Sequence, residues 1–169
     1  MFQFLKKKKV EEPPKPVSKP AAPKVPEVPS TRKVEKFNIA GTSFREDEII
    51  KNFAEENDEY NLPARELKEI YEDGGRVYKY DFLTAVPEIR PEPENEHDPN
   101  AIAVYSDGIQ IGYIKSGSTA HLRKVLKDRN IISMKLNITG GDYKDIFDGS
   151  ISKEKRNIHA DLVITHDEK

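Results

Sequence analysis

Apolar and polar positions alternate most cleanly at Ile132, Met134, Leu136 and Ile138, which predicts a strand over residues 131–139 with one buried face. A second run of the same period, Ile158, Ala160, Leu162 and Ile164, predicts a last strand over residues 157–165. The runs 100–105 and 109–114 flank Ser106-Asp107-Gly108, and Asp-Gly between two such runs is the strongest short signal for a hairpin. Residues 37–44 (FNIAGTSF) alternate enough for an opening strand, in which Gly41 marks a bulge or a close approach. Residues 76–86 (RVYKYDFLTAV) are rich in aromatic and branched side chains and predict one long strand ending at Pro87. Tyr78, Tyr80 and Phe82 share a side of that strand, and aromatics so placed serve either as core or as a platform for stacked bases.

Helical spacing shows at Ile49, Ile50 and Phe53, predicting a short amphipathic helix over residues 46–57. Asn61 ahead of Pro63 predicts a cap with proline in the first turn, opening a second helix through Leu67, Ile70 and Tyr71 that Asp73-Gly74-Gly75 stops. A third begins at Gly117 or Ser118, turns Leu122, Val125 and Leu126 inward and ends at Asn130. Residues 88–99 and 142–156 are polar and predict loops, with Gly140-Gly141 as a turn. Strands and helices do not alternate regularly enough for a parallel sheet. The expectation is a mainly β, α+β fold: a small closed antiparallel barrel of six strands with two or three inserted helices, closure removing the edges that short strands would leave bare.

Composition divides the chain. Residues 1–36 hold seven of the twelve prolines and ten Lys and Arg against four Glu, a net of +6, and predict a disordered, basic, Pro-rich tail or linker of polyproline character. The opening MFQFLKKKK is either a solubilising end or a weak contact for an anionic membrane, a nucleic acid or a partner protein. Residues 37–169, the predicted domain, carry −8, all of which is accounted for by residues 46–73, with eleven acids and three bases. The rest of the domain is neutral, an acidic helical insertion beside an uncharged barrel. The 169 residues include no cysteine, which excludes disulfides, thiolate metal sites and a cysteine nucleophile and suits a reduced setting. No apolar run approaches the roughly 20 residues that span a bilayer, and Met1 to Leu5 is too short for a signal-peptide core. A soluble, cytoplasmic protein without stable membrane insertion is expected.

Catalysis finds little to work with. The stretch Gly140-Gly141-Asp142-Tyr143-Lys144 lacks the spacing of a phosphate-binding loop, and the four histidines, 97, 121, 159 and 166, form no pair at i, i+4. Glu96, His97 and Asp98 are candidate ligands on a single loop with no second cluster to complete a metal site. The expectation is a protein that is not an enzyme and that uses no metal and no cofactor.

Residues 92–104 read Glu-Pro-Glu-Asn-Glu-His-Asp-Pro-Asn-Ala-Ile-Ala-Val, and Ile111-Gly112-Tyr113-Ile114 follows after the hairpin turn. This resembles the HIRAN family, whose hallmark is an acidic-proline-x-Asn segment, then Asp-x-Asn-Ala-Ile/Val, a hairpin, Gly-Tyr/His-Ile/Leu and a helix. Ala40-Gly41-Thr42-Ser43-Phe44 is similar to the family's opening strand, and the resemblance covers residues 37–139. It implies a modified oligonucleotide-binding-like barrel, known as the N-terminal module of certain chromatin-remodelling helicases, where it captures the 3′ end of single-stranded DNA in repair and replication; it also occurs in many bacterial and phage proteins.

By position, the resemblance implies that Asp98 accepts a hydrogen bond from the terminal 3′-hydroxyl, with Asn95 near the same group. It implies His97 as a small stacking ring, Phe44 as an aromatic lining the pocket and Tyr113 as a polar ring approaching phosphate. Ser43 and Ser116 stand where the family's best-known end binder has cations, and Arg45 and Lys115, one residue away, are the candidate substitutes. Asp98 before Pro99 and Asn100 also suits an Asx-turn that shapes the loop without any ligand, and the two roles are compatible. Asn100 reads as structural, bonding loop backbone. Single-stranded DNA is the expected partner. The other reading is a protein-interaction adaptor without nucleic-acid binding, engaging a partner through the Pro/Lys-rich tail or the acidic helices.

Overall fold

The computed structural model describes residues 31–167, so the expected disorder of residues 1–30 lies outside the described residues. The elements run β1 (Arg32–Ala40), α1 (Glu46–Phe53), β2 (Ala54–Glu56), α2 (Ala64–Ile70), β3 (Gly75–Tyr78), β4 (Tyr80–Phe82), β5 (Glu88–Pro91), β6 (Ile102–Ser106), β7 (Ile109–Ile114), α3 (Ser116–Asp128), β8 (Ile131–Phe147) and β9 (Ser150–Asp167). Short 3-10 turns, Thr42–Arg45 and Asp58–Asn61, precede α1 and α2. The fold is mainly β and antiparallel, as the alternating runs predict.

Seven strands form one sheet in the order β3-β8-β9-β1-β7-β6-β5, and β2 pairs with β4 in a separate ribbon. The sheet thus has seven strands where six were expected, and no ladder joins β3 and β5, the strands at the two ends of its hydrogen-bonded order. The backbone link from β8 towards the β5 end is one isolated bridge, Ala85 to Leu136, rather than a ladder. Strand β1 lies between β9 and β7, with Phe37 opposite Leu162 and Ile39 opposite Ile114. It starts at Arg32, so residues 32–36, expected in the tail, are paired with β9.

The main core gathers Phe37, Ile39, Val104, Ile111, Leu136 and Leu162 from the sheet under Ile49 and Phe53 of α1 and Leu122 and Val125 of α3. Each such side chain contributes about 1.5–3 kcal/mol on burial. A smaller core forms where Leu67 of α2 meets Val77 and Ile146, with Tyr60, Leu62, Tyr71 and Ile151 packed around it.

Four further expectations are corrected. Residues 76–86 do not form one strand: Lys79 donates its N–H to the Asp142 carbonyl at 2.8 Å while its own carbonyl accepts from Asn57 at 2.9 Å. The chain therefore passes from the large sheet to the small ribbon at that residue. Residues 142–156 are not a loop but the outer half of a long β8–β9 hairpin, turned at Asp148-Gly149 with positive φ at both residues. Gly140-Gly141 is accordingly a bulge, not a turn: the register shifts there, and at Gly140 (φ 116°) a Cβ would press on the Asn157 carbonyl. Residues 88–91, expected in a loop, are an edge strand pairing with β6.

Candidate nucleic-acid interface

Sequence-distant segments are drawn together where β7 ends. Gly112 lets β7 lie hard against β1, because a Cβ there would collide with the Ala40 carbonyl oxygen and sit 2.7 Å from Ile39 Cγ2. Tyr113 is thereby brought opposite Ala40, and the chain turns at Lys115 into α3. The 92–101 loop lies alongside. Between them opens a cleft of about 420 Å³ lined by Asn95, His97, Asp98, Tyr113, Lys115 and Ser116, with Ala40, Ala101 and Ile114 as its apolar wall.

The loop is held by its own side chains. Asn95 Oδ1 accepts the N–H groups of His97 at 3.0 Å and Asp98 at 3.2 Å, while Asn95 Nδ2 donates to Glu92 Oε2 at 3.1 Å. The same Glu92 oxygen accepts the Tyr113 hydroxyl at 3.1 Å, tying the loop to β7. At the far end Asp98 Oδ1 accepts the Asn100 N–H at 2.8 Å, and the Asp98 carbonyl accepts from Ala101 at 2.9 Å. The Asx-turn reading of Asp98 is thus present, and it engages one carboxylate oxygen. The other, Oδ2, has no hydrogen-bond partner among the described residues and belongs to a half-buried side chain that lines the cleft.

Five of the seven anticipated residues, Asn95, His97, Asp98, Tyr113 and Lys115, line this one cleft. Phe44 and Arg45 do not. Gly41, in the left-handed region at φ 84°, ends β1 and turns residues 42–45 into the 3-10 turn, so the strand that would carry Phe44 towards the cleft is not there. Phe44 is 89% exposed and borders, with Arg45, a separate depression beside Glu46, Asp47, Glu48 and Lys155. Arg45 Nη2 donates to Gln110 Oε1 at 2.6 Å.

Glu92, the acidic position of the motif, is the residue to which motif reading assigns no role. Its signal was the i, i+3 spacing to Asn95, which places an acceptor within reach of an amide in a tight loop. A second groove, of about 410 Å³, adjoins the cleft and shares Asp98 and Ser116 with it.

Among the described residues no group of three or more His, Asp or Glu side chains is placed to hold a metal ion, and no helix is long and apolar enough to cross a membrane. The family model of the HIRAN domain matches residues 36–147, a span that includes every residue lining the cleft. Neither a curated protein nor a solved structure matches the chain.

Proposed function

The chain belongs to the HIRAN domain family, a family of nucleic-acid-binding rather than catalytic modules, and from that membership and the cleft we propose that it holds the free 3′ end of a single DNA strand. The observation that carries this reading is the Asp98 carboxylate, anchored through Oδ1 by its own loop, with Oδ2 left to accept a hydrogen bond in a cleft beside Tyr113 and Lys115. A terminal 3′-hydroxyl is a donor of that kind; an internal phosphodiester offers none. The residues 37–169 sum to −8, which disfavours tracking a long phosphate backbone by bulk charge and suits a grip on one or two terminal nucleotides. His97, exposed at the rim, supplies a ring on which a base can stack. Such ends arise in repair and replication, and binding is expected to be weak.

Titration of a labelled oligonucleotide with a free 3′-hydroxyl against the same strand ending in a 3′-phosphate tests the reading. The free end should bind more tightly, and Asp98→Ala should cost it about 1–3 kcal/mol. Equal affinity for the two ends would remove end capture.

A further inference from the structure

Helix α3 carries charge of the opposite sign to the 46–73 segment. From Lys115 to Arg129 the sequence has Lys115, Arg123, Lys124, Lys127 and Arg129 against the single acid Asp128, whereas the 46–73 segment holding α1 and α2 nets −8. None of these five cations enters an ion pair among the described residues, although Lys33, Arg65, Arg76, Arg90 and Lys155 all do. Unpaired cations occur on other elements too, but these five fall within fifteen residues, on α3 and the residue at each of its ends.

Their placement on that element matters more than their number. Ser116, Ala120, Arg123 and Lys127 recur at intervals of four, three and four and so form one exposed stripe, away from the buried Leu122 and Val125. The groove adjoining the end cleft lies along this stripe, with Asp98 and Asn100 opposite Ser116, Ala120 and Arg123. A strand whose terminal sugar rests against Asp98 has a continuous way out through it. Ala120 adds no bulk to the groove. Arg123 Nη2 reaches the Asn100 carbonyl at 3.3 Å, a long contact that positions the guanidinium beside the groove and leaves its other N–H donors without partners among the described residues.

We propose that this groove is a second subsite, which takes the phosphodiester backbone of the nucleotides preceding the 3′ end, with Arg123 contacting the first phosphate beyond the cleft and Lys127 the next. It rests on the end-capture reading and adds what that reading lacks, a local source of phosphate neutralisation. Arg suits the position because its planar fork can meet two phosphate oxygens at once.

The test is fluorescence anisotropy with the whole chain and oligothymidylates of two and of eight nucleotides with free 3′-hydroxyls, together with the eight-mer ending in a 3′-phosphate, between 50 and 200 mM salt. Arg123→Ala should weaken the eight-mer roughly fivefold near 0.1 M salt and flatten the dependence of log affinity on log salt by about 0.7, the share of one phosphate on a single strand. Lys127→Ala should act in the same direction, and Arg123→Lys should keep the salt slope. The dinucleotide should be held equally by wild type and Arg123→Ala. Eight-mer affinity and slope unchanged in Arg123→Ala, while Asp98→Ala still abolishes discrimination between 3′ ends, would overturn the groove and leave end capture standing. Wild-type protein that binds neither oligomer would overturn both.

Discussion

Asn95 and Gly112 show how much of the cleft depends on single atoms. Asn95 commits its oxygen to two backbone N–H groups and its amide to Glu92, all within its own loop, so its role is to shape that loop. Asn95→Ala strips the acceptor from His97 and Asp98 and one donor from Glu92. The loop then presents Asp98 less rigidly, and affinity for a free 3′ end should fall by about 1–2 kcal/mol with little change in melting temperature, readable by titration and calorimetry together. At Gly112 the constraint is steric. A methyl group would meet the Ala40 backbone, which has no rotamer by which to escape, so Gly112→Ala should push β7 away from β1 at a cost on the order of 1–3 kcal/mol in denaturant unfolding.

At the scale of elements, the outer half of the β8–β9 hairpin and α2 stand or fall together, because Leu67, Val77 and Ile146 are each fully or nearly fully buried in a core of their own. Leu67→Ala should cost about 2–5 kcal/mol where it is felt and raise amide exchange across β3 and residues 142–151 more than across β6 and β7. That hairpin is also where sequence reading failed most. Elements with one buried face were legible: α3 and the inner halves of β8 and β9 each repeat at the period of their geometry, whereas the β6–β7 hairpin, with β6 buried on both faces, was legible from its Asp107-Gly108 turn. Residues 150–157 expose nearly every side chain, so no period of two appears, although Asp148-Gly149 repeats the Asp107-Gly108 turn. Lys79 was missed for the opposite reason: alternation of side chains runs straight through it while its two backbone groups bond different sheets. The 92–101 loop and the end of β7 were legible as parts of one motif. Phe44 was misplaced because nothing in the side-chain pattern reports that Gly41 adopts a left-handed turn.

Across the whole molecule, first and last strands are clasped by charge. Glu35 of β1 accepts from the fully buried His166 of β9 at 3.0 Å, from Lys33 at 3.3 Å and from His121 of α3. Burial alone would push the Glu35 carboxyl up, but the hydrogen bonds from His166, His121 and Lys33 prevail and lower it to about 2. His166 is pushed up, first by the Asp167 carbonyl at 3.0 Å and then by Glu35, so both ring nitrogens face acceptors and the ring is held as a donor at each. The carboxylate's stabilisation is therefore complete above about 4.5 and lost as pH falls towards about 2. The imidazolium's is complete below about 6.5 and lost as pH rises through the raised value. Melting temperature should peak between these limits, and Glu35→Gln should flatten the fall on both sides; an unchanged profile would show that the clasp contributes nothing.

Strand β9 enters the sheet between β8 and β1 rather than at an edge. Its pairing reaches from Asp167 back to Arg32, so on a ribosome β1 waits, its inner flank bare, until nearly all the intervening polypeptide has been made. Folding of this sheet is thus barred from proceeding piecemeal from the N-terminal side, and a nascent chain stalled at residue 147 would present two unsatisfied strands to chaperones or to its neighbours.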